Sequence, residues 1–255
     1  MIKLEQLRSI INLNKSIDGE IRLIVDKDLD KYSQEGINIA ETVSMKLNEM
    51  GELIQLPIND DKIGGLIVKK KNRYYFLINT KQPRSFQNFV YLHEFYHLLH
   101  SDEKFDVITN KVESEIKLDE RKANYYASLM LLNKDILRAQ YYYLTKDRGY
   151  DLKTSICYLM NIFKTTYKTI IIRLYEIGCI DDFKILLNNF NFNMNDISSH
   201  FEKLGLDKSM IEASNAKMVN NLDSYIMLAE EKGTMLEDFI DLNKARYYEI
   251  IEKFN

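Results

Sequence analysis

The chain is predicted to be α+β, with helices around a short, mostly antiparallel three-stranded sheet and a mostly α-helical C-terminal part. Three observations carry that class. Ile37, Ala40, Val43, Leu47 and Met50 keep helical spacing up to Gly51, a helix stop. Three short strand-like runs follow at residues 52–56, 64–69 and 73–78, parted by the polar turns Asn59-Asp60-Asp61 and Lys70-Lys71-Asn72. Beyond residue 133 almost every segment has helical periodicity.

Residues 1–28 are mixed in character and read as a helix and an arm. A helix over about 32–50 comes next, and the second and third strands form a hairpin. Pro83 suits the first turn of the following helix, because its fixed φ is helical and its missing N–H has no partner to lose there. Residues 118–132 form a further helix, with Ile116, Ala123, Ala127 and Leu131 at helical steps. Residues 154–163 and 167–177, separated by Lys164-Thr165-Thr166 and stopped by Gly178, resemble a helix-turn-helix. Helices are then expected at 183–189, 197–204, 210–232 and 235–254, punctuated by Gly205 and Gly233, with the asparagine-rich stretch 188–193 as a linker. The expected organisation is an N-terminal arm or helix (1–30), a core domain (31–133), a helix-turn-helix-like region (134–180) and a helical, regulatory domain (181–255).

With 255 residues and 45% apolar content the chain can bury a real core. A net charge of −3 gives no global electrostatic case for nucleic acid or an anionic membrane. Cys157 and Cys179 lie within apolar helical patterns and read as buried thiols in a reducing compartment rather than a disulfide framework. The N-terminus lacks a signal-peptide pattern and no stretch reaches transmembrane length, so a cytoplasmic, membrane-free protein is expected.

Chemistry concentrates in the run Phe89-Val90-Tyr91-Leu92-His93-Glu94-Phe95-Tyr96-His97-Leu98-Leu99-His100. It contains three of the four histidines and an HExxH pair, His93 and His97 flanking Glu94. Residues four apart share a helix face, so both imidazoles can reach one tetrahedral Zn²⁺ with Glu94 beside it. The bland alternative is a surface helix with incidental histidines; the apolar flanks oppose it, because a mostly apolar helix is buried and buried histidines need partners.

A hydrolytic zinc site takes three protein ligands and leaves one position open. Glu120 lies on the apolar stripe of the 118–132 helix, where a carboxylate is costly unless paired or bound to metal, and is the expected third ligand. A salt bridge to Lys or Arg is its structural alternative. Asp119, Glu113 and Glu115 fall off that stripe and read as solvated charges. His100 is a rival, but seven residues of helix rise about 10 Å, too far for His93 and His100 to share a metal. It is expected to pack near the site mouth or close the helix end.

The pairing of His93-Glu94-Phe95-Tyr96-His97 with Glu120-Arg121-Lys122-Ala123-Asn124-Tyr125-Tyr126-Ala127 resembles the ImmA/IrrE metallopeptidases of bacteria and their mobile elements, over roughly residues 30–180. Tyr96 stands where that family often has glycine, and Leu132-Asn133 where it often has Met-Pro. The resemblance implies a zincin-like fold and a glutamate third ligand. It also implies a protein substrate, a helix-turn-helix repressor whose loss switches on element transfer or stress genes.

The expected mechanism follows from one Zn²⁺ per chain on His93, His97 and Glu120, which lowers the pKa of a water towards ~7 and polarises the scissile carbonyl. Glu94 then acts as general base and later as acid. Asn124 is expected to support Glu120. The oxyanion donor is sought among Tyr74, Tyr96, Tyr125 and Tyr126. Residues 74–78 are the candidate for a strand beside the site helix whose edge pairs with substrate, the alternative being a strand simply packed in the sheet. Two other readings stay open: a non-catalytic metal-sensing or repressor-binding protein, and a DNA-binding regulator using Lys164, Lys168 and Arg173, less favoured because the chain has no basic excess.

Overall fold

The computed structural model describes residues 2–101 and 118–219, together with residues 231, 233 and 245. The N-terminal stretch forms one 29-residue helix, α1 (Leu4–Tyr32), rather than a helix and an arm. Leu7, Asn14, Ile17, Ile21, Val25 and Asp28 are its buried residues. They recur at steps of three, four or seven, so they share one stripe. Helix α2 (Ile39–Met50) begins on Asn38, whose side chain accepts from the Ala40 amide.

The sheet contains β1 (Glu52–Leu56), β2 (Gly65–Lys70) and β3 (Arg73–Asn79), as expected, plus a short fourth strand described below. β2 and β3 form the anticipated antiparallel hairpin. Its two turn residues, Lys71 and Asn72, both have positive φ (49° and 62°), the backbone a two-residue hairpin needs to match strand twist. β1 pairs with β3 in parallel, with Leu53 opposite Phe76 and Ile54 opposite Leu77. Asn79 closes β3 as a fully buried hub: its Oδ1 accepts from the Ile58 and Lys81 amides and its Nδ2 donates to the Asp60 and Ile63 carbonyls. That amide therefore shapes the loop between β1 and β2.

Helix α3 (Arg84–His100) carries the histidine pair, and α4 (Leu118–Leu131) packs across it. Both bury most of their circumference, as the apolar flanks required. Beyond them come α5 (Lys134–Tyr142), a π-turn (Tyr143–Asp147), α6 (Leu152–Phe163), α7 (Tyr167–Glu176), α8 (Phe183–Phe190) and α9 (Met194–Leu204). The α6–α7 break is as expected: Lys164 ends α6 in the left-handed region and Thr166 caps α7 through the Thr169 amide. The presumed linker 188–193 is instead the end of α8, a tight turn and the Asn193 cap of α9. Asn189 is buried there and bonded by Tyr167.

The helix expected from residue 210 does not form over residues 211–219. After a 3-10 turn (Lys208–Met210) the chain runs extended along the start of α3. The Arg84 amide donates to the Glu212 carbonyl, the Asn215 amide donates to the Thr80 carbonyl, and Thr80 Oγ1 donates to the Ala216 carbonyl. Strand β4 (Met218–Val219) then pairs antiparallel with β1, giving the order β2-β3-β1-β4. Backbone bonding to a strand that already exists overrides a weak helical pattern. The helix expected at 235–254 lies outside the described residues except at residue 245, and Glu113 and Glu115 lie outside them as well.

One continuous hydrophobic cluster runs from Leu7 and Ile21 of α1 through Phe76, Phe95 and Tyr126 to Ile156, Ile170 and Phe201. Cys157 is buried in it and Cys179 half-buried; both are free thiols, and burial pushes the Cys157 thiol up to about 12. Among the described residues no helix is long and apolar enough to cross a membrane.

Candidate metal centre

The spacing in α3 does what it predicted. His93 and His97 turn their Nε2 atoms towards each other at 3.1 Å. Glu120 comes in from α4, placing Oε2 3.4 Å from His93 Nε2 and Oε1 3.3 Å from His97 Nε2. Ligand bonds of ~2.0–2.2 Å at tetrahedral angles put neighbouring donor atoms roughly 3.3–3.5 Å apart. The three observed separations fall at or just below that edge length, so this donor set fits a tetrahedral ion with one open corner. The three residues form the group able to hold a metal among the described residues. The salt-bridge alternative for Glu120 is set aside, because its partners are imidazoles and not Lys or Arg.

Electrostatics favour a cation here. Burial alone would raise the Glu120 carboxyl, but the bonds from His93 and His97 outweigh it and hold the group well below its usual range. Burial would lower His97, yet the Glu120 bond and the charges of Glu94, Glu120 and Asp119 raise it. The acidic groups around His97 thus favour positive charge between the imidazoles and Glu120.

The shell behind the ligands differs from expectation in two ways. Asn124 does not support Glu120; its Oδ1 sits 3.1 Å from His93 Nδ1 and so directs the other nitrogen inward. Asp119 is not a solvated charge. Its Oδ2 lies 3.1 Å from His97 Nδ1 and also accepts from Ser101 Oγ at 2.6 Å. Consecutive residues on a helix diverge by about 100°, so the stripe argument placed Asp119 off the site, but α3 packs close enough to α4 for both to reach it.

Glu94 has the environment of a general base. It is 3% exposed, and its Oε2 has no hydrogen-bond partner. Burial raises its pKa, opposed by the charges of His93 and His97 and aided by Glu120. Strand β2 comes very close at Gly65: a Cβ there would lie 2.5 Å from Val90 Cγ1, 2.9 Å from the Leu77 carbonyl and 3.2 Å from Glu94 Oε1. A glycine inside a strand pattern is the sequence signal for such an approach, and it was missed.

The remaining expected site residues are turned elsewhere. His100 does not face the ion; its Nε2 lies 2.7 Å from Asp28 Oδ2. Tyr96 is 2% exposed, its ring packed on His97, His100 and Tyr126, so it fills space between α3 and α4 instead of narrowing the mouth. Tyr125 donates to Asp18 and Tyr126 to Asp28, which commits both hydroxyls away from the donor set; burial pushes both phenols up and keeps them protonated in those bonds. Tyr74 stacks on Phe76 within β3. Residues 74–78 are not an edge, because β3 has β2 on one side and β1 on the other; in the described sheet the strand beside the site helix with an open edge is β2. Arg173 is also unavailable to nucleic acid: it is 1% exposed and paired with Glu176 at 3.1 Å.

No curated protein and no solved structure matches this chain. The family model described as the IrrE N-terminal-like domain, a peptidase family, matches residues 48–175, half of the chain, and spans every strand of the β1–β3 sheet, the histidine pair and Glu120. The chain therefore belongs to the IrrE N-terminal-like peptidase family.

Proposed function

We propose that this protein is a zinc-dependent endopeptidase that cleaves a helix-turn-helix transcriptional repressor and so derepresses the genes that repressor holds silent. The observation that carries the catalytic part is the unpartnered Glu94 Oε2, buried beside a complete His–His–Glu donor set. A buried carboxylate oxygen with no bond partner is costly, and a site that hands it a proton at each turnover gives a reason to keep it. Zinc in that set supplies a Lewis acid that polarises a scissile carbonyl and makes water acidic enough to be used near neutral pH.

The chain's own residues do the rest. Asn124 and Asp119 hold the Nδ1 sides of His93 and His97, which would leave both Nε2 atoms free to ligate a metal. Glu94 takes the proton of the attacking water on Oε1 or Oε2 and passes it to the leaving amine. Its raised pKa suits both roles, since an acid too weakly basic accepts poorly and one too strongly basic donates poorly. The open edge of β2 offers main-chain groups to an extended peptide next to Glu94, which favours a segment that is unfolded or can be unfolded, such as a loop or hinge of the repressor.

The test uses zinc-loaded protein incubated with candidate helix-turn-helix repressors from the same genome, with products mapped by mass spectrometry. Discrete new termini are expected from the parent chain and none from Glu94→Gln, which should keep its zinc. Full cleavage by Glu94→Gln refutes the mechanism. Binding of the repressor without fragments from either protein points to the non-catalytic regulatory role instead.

A further inference from the structure

Asp28 lies on the buried stripe of α1 and is only 7% exposed. A carboxylate so placed must be bonded. A single oxygen, Oδ2, accepts from two donors at 2.7 Å each, His100 Nε2 and the Tyr126 hydroxyl. Those donors come from different helices. His100 ends α3, which carries His93 and His97, and Tyr126 lies on α4, which carries Glu120. The two donor rings lie 5.8 Å apart, and Tyr96 packs on both, its ring 5.4 Å from Tyr126, 5.6 Å from His100 and 5.9 Å from His97.

We propose that Asp28 is a positioning residue for the metal: one oxygen on α1 ties the imidazole helix to the carboxylate helix and sets the gap an ion must bridge. The reasoning is geometric. Metal–ligand distances hold to about ±0.2 Å, so a small separation of α3 from α4 loses Glu120 before it loses the fold. Van der Waals packing alone tolerates slippage of that size, whereas two charge-assisted bonds to a common atom do not. The Tyr96 ring, packed on both donors and on His97, passes the constraint to His97. Tyr96 thereby gains a role at a position where a small residue would leave a void.

The inference rests on His93, His97 and Glu120 being zinc ligands. It is tested on full-length protein by measuring zinc affinity against a competing chelator and by the visible spectrum of the cobalt-loaded form. Asp28→Ala should weaken zinc about 10–100-fold, the usual cost of removing a partner behind the ligands, and change the cobalt spectrum. Asp28→Asn, which keeps an acceptor oxygen, should stay close to the parent, and Tyr126→Phe, which removes one bond and keeps the ring, should fall between. Ile21→Ala, a cavity on the same helix, should lower the thermal midpoint and leave zinc affinity and spectrum unchanged. If Asp28→Ala does not fold, Tyr126→Phe and Asp28→Asn carry the comparison. Parent-like affinity in Asp28→Ala or Tyr126→Phe overturns the positioning role while leaving the zinc site standing. Equal zinc loss in Ile21→Ala overturns it as well. No zinc uptake by the parent chain overturns both the site and the inference.

Discussion

Gly65→Ala is the most economical perturbation of the contact between sheet and site helix. The added methyl would sit 2.5 Å from Val90 Cγ1, whereas carbon atoms rest about 3.5–4.0 Å apart, so some 1 Å of movement is required. Neither neighbour can give it easily. Val90 is β-branched in a helix, and leaving its preferred rotamer costs about 0.5–1.5 kcal/mol. The Leu77 carbonyl, 2.9 Å from the methyl, is backbone of the paired strand β3 and cannot rotate away. Overpacking of this kind costs about 1–3 kcal/mol, and the reduced chain entropy of alanine in the unfolded state offsets roughly 0.4–1 kcal/mol. The net of about 1–2 kcal/mol corresponds to a thermal midpoint lowered by roughly 2–8 °C for a chain of this size. Strand β2 is then pushed outward and Glu94, whose Oε1 would lie 3.2 Å from the methyl, loses its fixed position. A misplacement near 1 Å costs on the order of 10²-fold in rate. Thermal unfolding, zinc content and cleavage rate of one repressor substrate measure all three. The expected result is retained zinc, a modest loss of stability and a large loss of rate. A variant as stable and as fast as the parent refutes the close approach.

Four further outcomes rest on the bonds described. Asp119→Ala should weaken zinc binding about 10–100-fold with little loss of secondary structure, measured by chelator competition, because His97 loses its Nδ1 partner. Zinc affinity should rise with pH through the interval above 6.5 in which the raised His97 titrates, since an imidazole must lose its proton to ligate; an affinity flat across that interval, measured by chelator competition, contradicts His97 as a ligand. In metal-free protein Glu120, held below 4.5, contributes stability present above that value and lost as pH falls through its lowered one, while the raised His97 contributes stability below 6.5 that is lost as pH rises. Asn79→Ala removes a fully buried amide that makes four backbone bonds, and should lower unfolding free energy by about 3 kcal/mol in a denaturant titration while α3 keeps its helix.

Sequence by itself determined what is local. Helical spacing alone brings His93 and His97 to one face, and a carboxylate on an apolar stripe marked Glu120, since both follow from 3.6 residues per turn. The hairpin of β2 and β3 was legible for the same reason, its register being set by a two-residue turn. Asp28 and Asn14 are polar residues on the buried stripe of α1, and the charges around them obscure its helical period. Tertiary structure decided everything that depends on how one element meets another. Strand order made β3 central and β2 the open edge, because β1 inserts in parallel beside β3 across a connection that periodicity does not report. The closeness of α3 and α4 turned Asp119 and Asn124 onto the Nδ1 atoms of the two histidines, and α1 took His100 and Tyr126 out of the site through Asp28. Periodicity tells which side of an element is buried; it carries no information about the distance to the neighbour, and a metal site is defined by that distance.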